Sequence, residues 1–235
     1  MSHSRLLVIA VVVLTAVTLA ACGSSKNAST KTTGTSAKSA ASASSGGASS
    51  VDSFATDLQK GKRVEFDATY ESRPSNGQTT TFRVAQKKPK SLFETTNGDS
   101  TTSIINDGTT TYVCSKGNGN PPTCIKEPGT SGSNSVAAPM LALVDPGTIS
   151  TTLRAMAHVA GVNVNKSSKT VAGKTAQCVS VHVKGQGANN DGTWCVIDAG
   201  VLAYVETGGT VVELTKFATD VSASTFDLPG NVQSY

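Results

Sequence analysis

The chain is 235 residues long, 37% hydrophobic and 15% charged, with a formal net charge of +4. That charge is uneven. Arg5, Lys26, Lys31 and Lys38 precede residue 51 without one acidic residue, which leaves 16 basic residues facing 16 acidic ones beyond it. A neutral domain lacks the basic footprint of a nucleic-acid binder, and this stretch is long enough for one real hydrophobic core.

Residues 1–21 read as an export signal. Arg5 is followed by the apolar run Leu6 to Ala20, which is shorter than the ~20 residues of a spanning helix. No basic stop-transfer cluster follows it, so a cleaved leader fits better than a retained membrane helix. The border "LAAC", Leu19 to Cys22, resembles the lipobox of bacterial lipoproteins. The resemblance implies cleavage before Cys22 and acylation of its sulfur with palmitate-type chains. Two buried chains anchor stably, at ~0.8 kcal/mol per methylene. The expected location is the extracytoplasmic face of the cell membrane.

After Cys22, residues 23–50 are Ser, Ala, Thr and Gly in low complexity. They have little to bury and read as a disordered tether. Residues 51–235 form the domain. "SVDSFATDLQKG" predicts an opening helix with Phe54 and Leu58 turned inward. "RVEFDATYESR" alternates, with Val64, Phe66, Ala68 and Tyr70 on one side, as a half-buried strand does. "QTTTFRVAQ", "SLFETT", "TTSIIND" and "TTTYVCS" continue the pattern, with a hairpin signal at Asp107-Gly108. "SVAAPMLALVD" and "TISTTLRAMAHVAGV" predict two helices, the second capped by Thr148 or Ser150, with Ile149, Leu153, Met156 and Ala160 on one stripe. "QCVSVHV", "TWCVID", "VLAYVET" and "TVVELTKFATDV" then complete an antiparallel meander. The order is a helix, four to six strands, two helices, and four to five strands. It predicts an α+β, β-rich fold: a curved antiparallel sheet, an open half-barrel, with helices covering its concave face. The clusters "KGKR" (Lys60 to Arg63) and "KKPK" (Lys87 to Lys90) read as solvated turns.

Four cysteines follow Cys22 at positions 114, 124, 178 and 195. An even number in an exported chain suggests disulfides, and four permit three pairings. The local pairs, Cys114 with Cys124 and Cys178 with Cys195, fit hairpins best. In the second, Val179 falls opposite Trp194 and the cysteines share the other face. A zinc site fits poorly, because the spacings contain no CxxC. No metal and no cofactor is expected.

The lipobox, the tether, the helix-interrupted meander and the ending "VVELTKFATDVSASTFDLP" together resemble the LolA-like group of lipoprotein carriers, which includes the LppX and LprG lipoproteins of mycobacteria. The low-aromatic, Ala/Thr/Val-rich composition also leans to an actinobacterial source. In that group the space between half-barrel and helices holds acyl chains or lipidated proteins. The resemblance places an apolar cavity here among Phe66, Tyr70, Phe82, Val84, Met140, Leu141, Leu153, Met156, Val181 and Trp194. Met140 and Met156 suit it, since methionine adapts its shape. The competing expectation is a closed core made of the same residues.

The chain shows no G-x-S-x-G, H-E-x-x-H or phosphate-binding loop. His3 lies in the leader, leaving His158 and His182. His182 shares a strand face with Ser180, but two positions along one strand are too far apart for a base and its nucleophile. "GQGANN" sits between strands, without the helix a dinucleotide loop requires. The expected function is therefore non-enzymatic: a monomeric, membrane-anchored lipoprotein that binds or transfers lipids or acylated molecules. The alternative is an envelope module with a filled core that recognises a protein or glycan partner, or acts as a sensor subunit.

Overall fold

A computed structural model describes residues 45–117, 119–127, 145–184 and 191–233. The leader, Cys22 and most of the tether lie outside the described residues, as do Met140, Leu141 and nearly all of the helix expected over 135–145. Among the described residues no helix is long and apolar enough to cross a membrane.

Helix α1, Ser45–Lys60, starts inside the stretch expected to be tether. Its anchoring residues Val51, Phe54, Ala55 and Leu58 are buried. Once they are fixed, extending the helix backward through small residues costs little, because nucleation is the expensive step. A 3-10 turn, Gly61–Arg63, ends it. It delays the first strand to Phe66, so Val64 and Glu65 fall outside the strand expected to contain them.

Six strands follow: β1 (Phe66–Pro74), β2 (Thr80–Lys87), β3 (Lys90–Asn97), β4 (Ser100–Asn106), β5 (Thr111–Gly117) and β6 (Asn120–Lys126). Helix α2 spans Pro146–Ala157. Its N-cap is Asp145, whose carboxylate accepts from Thr148 N, and neither Thr148 nor Ser150 holds that position. Asp before Pro at N1 is a good helix start, because proline lacks only an amide that would be unpaired there. "DPG" therefore opens α2. The helix also ends earlier than expected. Gly161 turns the chain at positive φ, and Val162 already belongs to a strand.

The second half comprises β7 (Val162–Val171), β8 (Lys174–Val183), β9 (Gly192–Ile197), β10 (Leu202–Thr207), β11 (Thr210–Ala218) and the short β12 (Asn231–Gln233). Strand β7 had no counterpart in the sequence reading. It is an edge strand, and its run Asn165 to Ser168 is exposed, which leaves little alternation to detect. Among the described residues twelve strands form one open, curved sheet in the order β12-β6-β5-β4-β3-β2-β1-β11-β10-β9-β8-β7. The pairing is antiparallel except between β12 and β6.

Both faces carry apolar residues. On one face, α1 and α2 set Val51, Phe54, Leu58, Ile149 and Leu153 against Val179, Val181, Val196 and Leu202. A bulge between Leu202 and Tyr204 turns both Leu202 and Val205 to this face. Through the register it continues as Leu214, Tyr70, Phe82, Phe93 and Ile104. The opposite face of β2–β6 is covered by the chain's end, where Val221, Phe226 and Leu228 pack on Ala85, Leu92, Ile105 and the Cys114–Cys124 pair. Lys87 Nζ ties this strap down by donating to Val221 O at 3.0 Å.

The cysteines are joined as Cys114–Cys124 and Cys178–Cys195, each bridging directly opposed positions on neighbouring antiparallel strands. Val179 stands opposite Trp194. At Asp107-Gly108 the hairpin turns over four residues, because Asp107 Oδ1 accepts from Thr109 N and Thr110 N and builds an Asx turn.

Candidate functional site

Among the described residues the sheet passes from under the helices at β1, and a cleft of about 390 Å³ opens there. Its floor is the helix-bearing face of β1–β4: Phe66, Tyr70, Val84, Phe93 and Ile104. One wall is the β9–β10 turn, Gly200 to Leu202. The other is the exit of α1 (Leu58, Gly61, Lys62) with the start of α2 (Asp145, Pro146). The rim is polar, with Gln86, Lys88, Ser91, Asn106 and Thr111. The volume lies within the ~300–1,000 Å³ of ordinary ligand clefts, and an apolar floor with a few polar rim groups is their usual make-up.

The floor is held stiffly. Tyr70 donates to Leu202 O at 2.9 Å and stacks on Phe82 at 4.9 Å. Burial holds its hydroxyl well above the ordinary phenol range, so it stays a neutral donor. Gln86 Nε2 donates to Val64 O and Gly61 O, fixing the 3-10 turn over the sheet.

Of the residues expected to form a cavity, Phe66, Tyr70 and Val84 line the cleft. Leu153, Val181, Met156 and Trp194 do not. They belong to the solid contact of α1 and α2 with β8–β10, where helix side chains already fill the space. Phe82 sits between Tyr70 and Phe93, with ring centroids 4.9 and 5.9 Å away, and its ring serves packing. The sequence reading missed Phe93, Ile104 and Val201. The register of the first two, Val84–Phe93–Ile104, runs through the β2–β3 and β3–β4 hairpins, which the sequence reading did not mark, although Asn97-Gly98 offered a signal for the second. It also missed Lys62 and Lys88, which come from the two clusters read as solvated turns.

The histidine question resolves geometrically. His182 Nδ1 and Asp191 Oδ2 are 2.7 Å apart. Ser180 pairs with Thr193 at 2.9 Å on the same face, opposite the one that carries the helices. Among the described residues no group of three His, Cys, Asp or Glu is placed to hold a metal. The Asp191 carboxyl is held below the usual range, chiefly by the hydrogen bond with His182 and also by Val183 N. A depressed carboxyl stabilises the fold above its unfolded pKa and loses that contribution as pH falls through the folded value. Asp191→Asn is therefore expected to lower the urea midpoint at about pH 5 and to match the wild type near pH 2. A gap of equal size at both pH values would contradict this assignment.

Among the described residues these features define a class: a β-rich open sheet carrying an apolar, polar-rimmed cleft where its helical cover ends. No protein-family model matches the chain, and no curated protein matches it. Among solved structures it is similar to a chain of the Pseudomonas aeruginosa MucA/MucB complex, at 12% identity and a TM-score of 0.49, covering 76% of this chain and 60% of that one. A DUF1329 family protein from Desulfovibrio piger matches at 12% identity and a TM-score of 0.30, covering 76% and 96%. The LolA superfamily protein NE2245 from Nitrosomonas europaea matches at 11% identity and a TM-score of 0.30, covering 73% and 96%. The chain spans about 60% of the length of the MucA/MucB chain it matches. At these identities the functional reading rests on the cleft's own residues.

Proposed function

We propose that the protein is a monomeric lipoprotein, anchored through Cys22 at the extracytoplasmic face of the cell membrane, that binds or passes on a lipid or acylated molecule. The ligand's chain lies in the cleft, between the end of the helical cover and the concave side of the sheet. The role is binding, with no chemical step. The observation that carries this reading is the apolar floor of Phe66, Val84, Phe93 and Ile104 in a cleft of about 390 Å³. Hydrocarbon gains ~0.8 kcal/mol for each methylene it buries on such a surface. Native mass spectrometry of the full-length chain, purified from a related host, is expected to show a bound lipid mass. Repeated absence of any such mass would count against the reading. Cys22→Ser is expected to move the protein from the membrane to the soluble fraction, and retention in the membrane would refute the anchor.

One observation favours a second reading, a module that binds a protein partner. Strand β7 is a ten-residue edge strand at one end of the sheet. An unpaired edge accepts an extended segment by strand addition. A pull-down that recovers one dominant protein and no lipid would favour this role.

A further inference from the structure

The rim of the cleft carries cations that the fold itself does not use. The "KGKR" and "KKPK" turns, far apart in sequence, each place one lysine on the cleft: Lys62 beside the α1 exit and Lys88 at the β2–β3 turn. Their neighbours are occupied, Lys60 with Asp57 at 2.6 Å and Lys87 with Glu65 at 3.2 Å. Lys62 and Lys88 have no ion-pair partner among the described residues.

Among the described residues the one acid on the rim is Asp145, whose carboxylate accepts from Thr148 N as the cap of α2. Lys62 Nζ lies close by, since a Cβ on Gly147 would be 3.0 Å from it and 2.9 Å from Asp145 Oδ2. The first turn of α2 has no acidic residue to add to it. Ser91 and Thr111 place hydroxyls on the same rim. An apolar floor thus lies beneath a rim with two cations, one already hydrogen-bonded carboxylate and further donors.

We infer that the cleft selects an amphiphile whose head group is anionic, a carboxylate or phosphate on a hydrocarbon chain, held between Lys62 and Lys88. This rests on the lipid-binding reading of the cleft and narrows it. Two ammonium groups offer charge-assisted hydrogen bonds to such a head and nothing comparable to a neutral one.

The test compares dodecanoate, dodecyl phosphate and dodecanol on the full-length chain at about 0.15 M salt, where the Debye length is ~8 Å. At least one anionic probe is expected to bind about tenfold tighter than dodecanol, a difference of about 1.4 kcal/mol. Whichever of the two binds better identifies the head as carboxylate or phosphate. The Lys62→Gln/Lys88→Gln double variant is expected to shrink the preference below about threefold, while Lys62→Arg/Lys88→Arg retains most of it. Equal binding of all three probes by the wild type would overturn the anionic head and leave the lipid cleft standing. Binding of none of them would overturn both. An equal loss for all three probes in the glutamine variant would show the lysines acting on the cleft's shape, and would also overturn the inference.

Discussion

Gly200→Ala is expected to destabilise the protein by about 3 kcal/mol or more, lowering the melting temperature by roughly 10 °C. Two penalties combine there. Gly200 has φ +77°, a conformation that costs a side-chain-bearing residue about 1–2 kcal/mol. An added Cβ would also lie 2.2 Å from Gly61 N and 2.6 Å from Asp57 O, both backbone atoms that no rotamer change can move aside. The β9–β10 turn and the exit of α1 would have to separate, and both are walls of the cleft. Two companion variants divide the effect. Gly173, at φ +73°, has nothing within 4 Å, so Gly173→Ala carries the strain alone. Gly61→Ala carries the collision alone, because its Cβ would meet Gly200 O at 2.2 Å. Urea midpoints are expected to rank Gly200→Ala as the most damaging of the three. A Gly200 variant no worse than the Gly173 variant would show that the contact between turn and helix exit is soft.

Removing the inner disulfide is the second large effect. Cys178→Ala with Cys195→Ala is expected to cost about 3 kcal/mol, from the entropy regained by an unfolded chain once its closed loop is released. The bridge has a sequence separation of 17 and joins β8 to β9, and its cysteines are 3% and 0% exposed. It packs with Ala176, Ile197 and Ala203 on the sheet face away from the helices. The expected signature is a melting temperature lowered by roughly 6–12 °C. Reduction of the wild type with a thiol is expected to produce a fall at least as large, since it can also open the Cys114–Cys124 bridge. Variants as stable as the wild type would mean that the register alone holds β8 to β9.

Much of this architecture was legible because it rests on local chemistry. Alternation in "RVEFDATYESR" and "QTTTFRVAQ" marks half-buried strands wherever they pair. Cysteines flanking a turn point to hairpin bridges, since opposed positions bring them within reach. The cap of α2 was open to the same kind of reading: "DPG" carries both N-terminal signals, and giving the cap to Thr148 or Ser150 overlooked them. Strand β7 was not legible, because an edge strand with exposed Asn, Lys and Ser lacks the periodicity that burial imposes.

The cleft divides the same way. The sequence by itself determined which faces are apolar, since side-chain parity along a strand does not depend on the rest of the fold. Only the tertiary structure decided where that apolar face is covered and where it is left as a cleft. Leu153 and Val181 became core because α2 lies on β8, while Phe93 and Ile104 became floor because, among the described residues, the helical cover ends before β3. The same holds for Lys62 and Lys88. Each looks like an ordinary solvated turn lysine in its own segment, and they share one rim only because the exit of α1 is packed over the sheet beside the β2–β3 turn. A local pattern can report burial and turn, but the meeting of two distant turns is set by packing among residues that neither turn contains.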